Sequence, residues 1–315
     1  MKNSILSIIV PCFNEEEVLP QTNQRLRALL DGMIRDNLVA EGSYILYVDD
    51  GSRDRTWELL SGFAQPDTHV RCLKLVGNVG HQNALMAGLD TARADADVTI
   101  SIDADLQDDI NVIPEMIKKY DAGNDIVYGV RSDRRSDSFM KRCSAQGFYR
   151  FMNNMGIKTV YNHADCRLMS RHAVESLCEY DERNLFLRGL VPQLGYKADS
   201  VYYDRQERTA GKSKYPLSKM LSFAIDGITS FSVKPLRLIF YLGLLFLLIS
   251  LGILVYVIMA LCQGRGVQGW ASLMLSIWFV GGCLLVCLSV IAAYIGRIYT
   301  ESKHRPRYHI EEYLK

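Results

Sequence analysis

Apolar and polar positions divide the chain into two unlike parts, and the pattern changes at about residue 235. In the first part, short β-branched runs alternate with longer stretches in which apolar residues recur at helical spacing. The predicted strands are Leu6 to Val10, Tyr44 to Val48, Val70 to Leu75 and a run from Val98 that ends at Asp103. Helices are predicted from near Glu15, from Asp54, and from His81 to Ala92. This alternation predicts a parallel sheet with helices on both faces.

From Leu236 onward the pattern changes to two long apolar runs. The first reaches Cys262, and the second, from Trp270 to Ile295, contains no charged residue. Each run exceeds the roughly 20 residues that a helix needs to cross a bilayer. The sequence therefore predicts a transmembrane hairpin of two helices over residues 236–296.

Basic residues flank the outer ends of this hairpin, whereas its short loop holds Arg265 as its one charge. The flanking cations are Lys234, Arg237, Arg297, Lys303, Arg305 and Arg307. By the positive-inside rule, this asymmetry predicts that both flanking parts of the chain are cytoplasmic. Just before the hairpin, apolar residues fall on one helical face from Leu217 to Phe231, which predicts an interfacial amphipathic helix.

Composition narrows the classes of partner and compartment. The formal net charge of +1 gives no reason to expect nucleic acid binding. The first apolar run is too short for a signal peptide and is interrupted at Pro11. The eight cysteines form no Cys-x-x-Cys pair, which is consistent with a reducing compartment.

Candidate chemistry is concentrated in the sequence VTISIDADLQDD, where the strand from Val98 ends. Open α/β sheets bind ligands at the carboxyl ends of their strands. Asp103 and Asp105 flank the small Ala104, so two oxygen ligands can face one cation, and Mg²⁺ is typically held by carboxylates plus substrate phosphates. The sequence contains neither a G-x-G-x-x-G loop after the first strand nor a P-loop. A nucleotide would therefore be held through strand-end acids and a metal on its diphosphate.

The chain resembles the GT-A domain of family 2 glycosyltransferases in the ordered motifs VPCFNEE, VDDGSRD, GNVGHQNALMAGL and DADLQD. Later motifs, among them GVRSDR, ADCRLMS, ERNLFLRG and QERTAGKSKY, resemble the polyprenyl-phosphate branch, which includes bactoprenol glucosyltransferases and is related to dolichol-phosphate-mannose synthases. The resemblance implies an α/β fold: a GT-A Rossmann-like parallel-sheet domain followed by amphipathic interfacial helices and a two-helix transmembrane hairpin. The expected parts are a cytoplasmic catalytic domain (1–212), the interfacial helix (213–235), two transmembrane helices (236–296) and a basic cytoplasmic tail (297–315).

The resemblance also implies roles for single residues. Asp103, Asp105 and Gln107 match a metal site for Mg²⁺ or Mn²⁺. Asp103 and Asp105 also count as catalytic, together with Asp165, which matches a carboxylate near the acceptor. The nucleotide-sugar contacts match Pro11, Phe13, Glu15, Asp50, Asp103 and Arg131. Phosphate and acceptor contacts match Arg131, Arg205, Arg208 and Lys212. One departure is His81, where relatives often carry Lys.

The implied function is inverting, metal-dependent transfer of a sugar, glucose from UDP-glucose in the first instance, to polyprenyl (undecaprenyl) phosphate. The reaction is expected at the cytoplasmic face of a bacterial inner membrane, by a multi-pass protein that the resemblance suggests is a tetramer. A lipid phosphate is largely dianionic at pH 7, so Asp165 is interpreted as an orienting group or a weak base. The alternatives are another donor (a UDP-amino sugar or GDP-mannose) and a non-catalytic membrane subunit that binds nucleotide or lipid.

Overall fold

The computed structural model describes residues 3–131, 163–183, 185–204, 234–263 and 269–315. The predicted phosphate-binding residues Arg205, Arg208 and Lys212 lie outside these ranges. So does the predicted amphipathic helix from Leu217 to Phe231.

An eight-stranded sheet forms the centre of the described part of the chain. Its strands are β1 (Leu6–Cys12), β2 (Tyr44–Asp49), β3 (Val70–Leu75), β4 (Val98–Ser101), β5 (Ile126–Arg131), β6 (His163–Ser170), β7 (Ala198–Tyr203) and β8 (Ile310–Leu314). They are ordered β7-β5-β6-β4-β1-β2-β3-β8 across the sheet. This is the Rossmann-like GT-A architecture that the sequence predicts.

The sheet is mixed, whereas the sequence prediction was a parallel sheet. The predicted strands β1 to β4 are indeed parallel to one another. However, β6 runs antiparallel to both β4 and β5, and β8 runs antiparallel to β3. Hydrophobic periodicity identifies a strand without giving its direction, because direction depends on which distant strand it pairs with.

Six helices of the described chain alternate with the strands, and two longer helices lie between β7 and β8. They are α1 (Leu19–Arg35), α2 (Thr56–Ala64), α3 (His81–Ala92), α4 (Ile113–Asp121), α5 (Arg171–Cys178), α6 (Leu187–Leu190), α7 (Lys234–Cys262) and α8 (Trp270–Glu301). The first begins at Leu19 rather than near Glu15, because Asn14 takes a positive φ of 55° and Pro20 fixes the first helical turn. The bounds of β3 and α3 agree with the sequence prediction.

The described residues of the chain fall into two compact units. One contains the sheet, the helices α1 to α6 and the residues from Arg305 onward, and the other contains α7 and α8. Within α8, the 23 residues Phe279–Glu301 are long and apolar enough to cross a membrane. In α7 the apolar stretch Ile239–Ile253 is shorter. Many of the large apolar side chains of both helices are exposed.

The final strand closes one edge of the sheet. β8 pairs with β3, and Lys74 forms an ion pair with Glu311 at 2.9 Å. Just before β8, the Tyr308 hydroxyl donates a hydrogen bond of 2.7 Å to Asp90 at the end of α3. Residues that the sequence assigns to a basic tail therefore cover an otherwise unpaired strand edge.

The core depends on close contact between α3 and the central strands. Both β1 and β2 are buried at every position, as expected for strands with helices on both faces. At Gly88, in the middle of α3, an added Cβ would lie 2.5 Å from Ile9 Cγ2 and 3.0 Å from Val48 Cγ2. These are methyl groups of stiff β-branched side chains, so the helix can lie this close only because residue 88 is glycine.

We expect Gly88→Ala to lower the free energy of unfolding by about 1–3 kcal/mol, the usual cost of overpacking a core. Gly32→Ala is the matched control, because it also lies in a helix and its added Cβ would meet nothing within 4 Å. The control should gain up to about 1 kcal/mol from better helix propensity. Thermal and denaturant unfolding of the purified proteins measures both changes. Equal stability of the two variants would contradict this packing argument.

Candidate active site

The antiparallel pairing of β4 and β6 brings two carboxylates together, at the carboxyl end of β4 and the start of β6. Ser101 lies opposite Arg167 in this pair. Extending the same register by two residues places Asp103, which lies just after β4, opposite Asp165, the third residue of β6. Both side chains are half-buried, at 35% and 26% exposure. If β6 ran parallel to β4, Asp165 would lie at the opposite end of the strands, far from Asp103.

His81 completes a three-residue group with these acids. It is the first residue of α3, and its Nε2 lies 3.6 Å from Asp103 Oδ1. One side-chain ligand atom from each of His81, Asp103 and Asp165 falls within 4.8 Å of the others. Imidazole nitrogen and carboxylate oxygen are both common ligands of divalent metals.

The two carboxylates differ in their electrostatic surroundings. Burial, together with the nearby Asp165, raises the pKa of Asp103 to about 6. Burial would also raise the pKa of Asp165, but the guanidinium of Arg188 outweighs it and holds that pKa well below its usual range. Arg188 donates from Nε to Oδ1 at 3.0 Å and from Nη2 to Oδ2 at 2.7 Å. Asp165 is therefore an oriented, ionised carboxylate.

These surroundings fit a divalent cation. Asp103 lies beside a second acid in a partly buried position, and this repulsion disfavours its ionised form. A cation would relieve the repulsion between the two carboxylates, and His81 offers a further donor atom. Asp103, Asp165 and His81 are the residues that would hold such an ion.

The predicted ligands Asp105 and Gln107 interact with each other in the loop after β4. Gln107 donates to Asp105 from its side-chain Nε2 at 2.7 Å and from its backbone N at 3.3 Å. Leu106 between them takes a positive φ of 45°. Asp105 is thus outside the group formed by His81, Asp103 and Asp165, and the metal roles of Asp105 and Gln107 stay predictions.

Arg131, a predicted phosphate contact at the end of β5, is held by a buried acid. Its Nε and Nη2 donate to Asp108 Oδ1 at 3.0 and 2.8 Å, and Asp108 is 2% exposed. This pair ties the Asp-rich loop after β4 to the end of β5, two strands away in the sheet. The role of Arg131 toward phosphate stays a prediction.

Asp50, the predicted contact to the nucleobase, supports the turn that precedes α3. Its Oδ1 accepts from Val79 N at 2.7 Å and its Oδ2 from Gly80 N at 3.0 Å. Burial raises its pKa, and the two backbone hydrogen bonds oppose that rise. Next to it, Gly51 has φ +65°, and a Cβ there would lie 2.6 Å from the carbonyl carbon of Gly77. This turn therefore lies against the end of β2 and fixes where α3 begins.

The segment after β1 lies at the same carboxyl end of the parallel strands. Pro11 is buried within β1, whereas the ring of Phe13 is 42% exposed. Two backbone N–H groups of this segment donate to hydroxyls after β2: Asn14 N to Ser52 Oγ at 3.0 Å, and Glu15 N to Thr56 Oγ1, at the start of α2, at 2.9 Å. An exposed aromatic ring held in this way suits stacking on a planar base. The roles of Pro11, Phe13 and Glu15 toward nucleotide stay predictions.

The sequence alone assigns no role to Arg188 or Asp108, and it does not place His81 beside Asp103 and Asp165. Arg188 was present in the motif ERNLFLRG without an assigned role. Its signal in the sequence is weak, because this arginine lies 23 positions after the acid that it contacts. His81 departs from the family pattern in the sequence, and in the fold its Nε2 lies 3.6 Å from Asp103 Oδ1.

Comparison with known proteins identifies the family. Residues 7–178 match the model of Glycosyl transferase family 2. The chain belongs to glycosyltransferase family 2. It is 54% identical over 313 residues to the uncharacterized glycosyltransferase YkoT of Bacillus subtilis strain 168, covering 99% of this chain and 93% of that protein. It is 42% identical over 308 residues to the bactoprenol glucosyl transferase of Shigella phage SfV, covering 97% of this chain and 98% of that protein.

Comparison with solved structures gives a match at low sequence identity. A crystal structure of glucosyl-3-phosphoglycerate synthase from Mycobacterium tuberculosis, in complex with Mn²⁺, UDP-glucose and phosphoglyceric acid, gives a TM-score of 0.47 at 15% identity. The match covers 72% of this chain and 78% of that one. The resemblance to family 2 glycosyltransferases of the bactoprenol type is confirmed by the family model and the curated relatives.

We expect Arg188→Met to reduce glycosyl transfer by about 10- to 100-fold, because hydrogen bonds to charged groups are worth about 1.5–3 kcal/mol. Arg188→Lys should recover part of the loss, since lysine restores the charge without the two-pronged geometry. Steady-state kinetics should show the change in kcat. Lys119→Met is the control: it removes an exposed ion pair with Asp199 and should change activity little. Unchanged kcat in Arg188→Met would exclude an orienting role.

Proposed function

We propose that this glycosyltransferase transfers a sugar, glucose from UDP-glucose in the first instance, to polyprenyl phosphate. The observation that carries this proposal is the 42% identity to a bactoprenol glucosyl transferase over 97% of the chain, which extends far beyond the family 2 domain. The acidic site formed by Asp103 and Asp165 supports the same reaction, since it offers ligands for a metal and an oriented carboxylate.

The reaction exchanges one bond at the anomeric carbon of the sugar. An oxygen of the lipid phosphate forms a new bond to that carbon while the bond to the β-phosphate of the donor breaks, and the nucleoside diphosphate leaves with the electron pair. When bound, a divalent ion supplies Lewis-acid stabilisation of the charge on the leaving diphosphate. A single displacement inverts the configuration, so an α-linked donor is expected to give a β-linked lipid product.

The residues of the site have separate tasks in this scheme. Asp103 would hold the cation that neutralises the diphosphate. Asp165, kept ionised by Arg188, orients the acceptor side of the site. The acceptor phosphate has a second pKa of about 6 and is largely dianionic at pH 7, so the reaction needs no strong base. Arg188, and the predicted cations Arg205, Arg208 and Lys212, offset the repulsion between the acceptor and the acids.

Membrane association follows from the same proposal, because the polyprenyl chain stays in the bilayer. The apolar stretch Phe279–Glu301 of α8 is one membrane-spanning candidate in the described part of the chain. We propose that α7, 29 residues long, is the second, giving a multi-pass protein with its sheet on the cytoplasmic side. A tetramer is the assembly that the family resemblance suggests.

The decisive assay offers the purified protein a panel of nucleotide sugars with undecaprenyl phosphate and Mg²⁺ or Mn²⁺, and identifies the lipid product by mass. We expect one nucleotide sugar, UDP-glucose in the first instance, to give a hexosyl lipid phosphate. Another productive donor would keep the reaction class and correct the sugar. Binding of nucleotide and lipid without any product would favour a non-catalytic subunit.

We expect Asp103→Asn to abolish nearly all transfer while the protein remains folded, because the leaving diphosphate loses the anchor of its counter-ion. EDTA should have the same effect on the unmodified protein. Asp109→Asn is the control in the same loop, since Asp109 caps the short helix Ile110–Val112 and asparagine caps equally well. Full turnover in EDTA, or by Asp103→Asn, would contradict the metal-dependent scheme.

Topology gives an independent test of the membrane proposal. An impermeant maleimide applied to intact cells should label Gln268→Cys, in the loop between the two apolar helices. It should label Glu312→Cys, an exposed position in β8, only after the cells have been permeabilised. The unmodified chain measures the background from its own cysteines. Labelling of both variants in intact cells, or of Glu312→Cys alone, would overturn the two-span arrangement.

A further inference from the structure

A cavity of about 410 Å³ lies beside the turn between β3 and α3. It is lined by residues 76–79, by Arg183 and by residues 305–309, which lead into β8. All of these residues belong to the unit that contains the sheet. The described lining includes none of His81, Asp103 and Asp165, so this cavity is separate from the acidic site. Its volume is in the range of about 300–1,000 Å³ that is usual for small-molecule sites.

The lining of the cavity carries positive charge without a compensating acid. Three arginines line it, Arg183, Arg305 and Arg307, and no aspartate or glutamate occurs among the described lining residues. Within the described part of the chain, neither Arg305 nor Arg307 forms an ion pair. A concave surface that is lined by charge of one sign concentrates ions of the opposite sign. The cavity therefore favours an anionic occupant.

Arg307 has an incompletely satisfied guanidinium beside this cavity. Its Nε donates to the backbone oxygen of Glu182 at 3.1 Å. Its Nη2, however, is buried and has no hydrogen-bond partner among the described residues. A buried charged group without partners has a high desolvation cost. An anion in the adjacent cavity would lower this cost through Coulombic attraction to the whole guanidinium.

The backbone around the cavity is held from two directions. Arg183 Nη1 donates to the backbone oxygens of Arg305 and Pro306, at 3.0 and 3.3 Å. At the end of β3, Val76 N donates to His309 O at 3.0 Å. The segment that leads into β8 is thus fixed before any ligand arrives. Such preorganisation reduces the conformational cost of binding.

The lining residues match a phosphate ester better than a bare anion. The planar guanidinium group of arginine fits phosphate oxygens in pairs. The cavity also offers apolar surface, because Val76, Val79 and Pro306 are among its lining residues and Val76 is 64% exposed. A phosphate with a short carbon group attached would use both the charged and the apolar part of the lining.

We propose that this cavity binds a phosphate ester, with Arg305 and Arg307 toward the phosphate and the apolar residues toward the carbon group. Two sources supply this chemistry, a soluble phosphate ester and the headgroup of an anionic phospholipid. The sequence gives a reason to test the lipid source, since residues 302–304 alone separate Arg305 from the apolar stretch Phe279–Glu301. The proposal concerns a second site and does not depend on the proposed transfer reaction.

The experiment measures the binding of two phosphate monoesters to the full-length protein in an uncharged detergent. The probes are ethyl phosphate and dihexanoylphosphatidic acid, which share the phosphate monoester and differ in their acyl chains. Isothermal titration calorimetry at constant ionic strength gives each affinity, with and without saturating UDP and Mn²⁺.

The variants are Arg305→Gln and Arg307→Gln. Lys303→Gln is the matched control, because it removes the same charge from the same segment, and Lys303 is not among the lining residues. The Nζ of Lys303 instead lies 4.0 Å from the centroid of the Tyr299 ring. Unfolding midpoints verify that each variant is folded.

We expect the unmodified protein to bind at least one probe saturably, whether or not UDP is present. The affinity should fall about 10- to 100-fold in Arg307→Gln, as for the loss of hydrogen bonds to a charged group. It should fall about 2- to 5-fold in the exposed Arg305→Gln and stay unchanged in Lys303→Gln. Equal affinities for the two probes would identify a soluble ester as the source, and tighter binding of phosphatidic acid would identify a lipid headgroup.

Four results would overturn the proposal. They are the absence of saturable binding of either probe, unchanged affinity in Arg305→Gln, an equal loss in Lys303→Gln, and displacement of the probe by UDP. The third would indicate attraction to positive charge in general, and the fourth would assign the phosphate to the donor site. If Arg307→Gln does not fold, Arg305→Gln decides, because the Arg305 side chain is exposed. Failure of the donor panel would leave this binding unaffected, so the two proposals fail independently.

Discussion

Repulsion between the carboxylates of Asp103 and Asp165 is the constraint on which the rest of this site depends. The register of β4 and β6 places the two acids together, and the neighbouring groups compensate for their charge in different ways. Arg188 offsets the charge of Asp165, whereas Asp103 lies beside a histidine and has a raised pKa. The charge of Asp165 is thus neutralised by the guanidinium of Arg188, whereas Asp103 has no arginine partner of this kind among the described contacts.

The compensating groups come from elements that are far apart in the sequence. Arg188 belongs to α6, His81 to α3, and the turn before α3 is tied to the end of β2 through Asp50. A substitution in that turn would therefore act on the acidic site by moving the start of α3. Asp50 therefore helps to fix the start of α3, where His81 lies beside Asp103.

The parts of this fold that the sequence predicts are those governed by local pattern. β3 and α3 have the predicted bounds, because alternation, a glycine turn and a helical apolar face are all contained within a few residues. The Asp-rich loop is recognisable in the sequence because its acids follow a buried strand. The direction of β6, the contact of Arg188 with Asp165 and the pairing of β8 with β3 all depend on residues distant in the chain, and periodicity has no information about them. His81 is the intermediate case, since the sequence marks it as unusual and the fold supplies its neighbours.

The pairing of β8 with β3 also constrains the order in which the protein can be completed. Lys74 and Glu311, which join these strands, are 237 residues apart, and both apolar helices lie between them in the chain. During synthesis β3 is made early and keeps an open edge until β8 leaves the ribosome. Closing so long a loop has an entropic cost that increases only slowly with length, so the pairing can still form late. The catalytic sheet therefore acquires its final strand after α7 and α8 have been synthesised, and a nascent chain arrested before that point would carry an exposed strand edge.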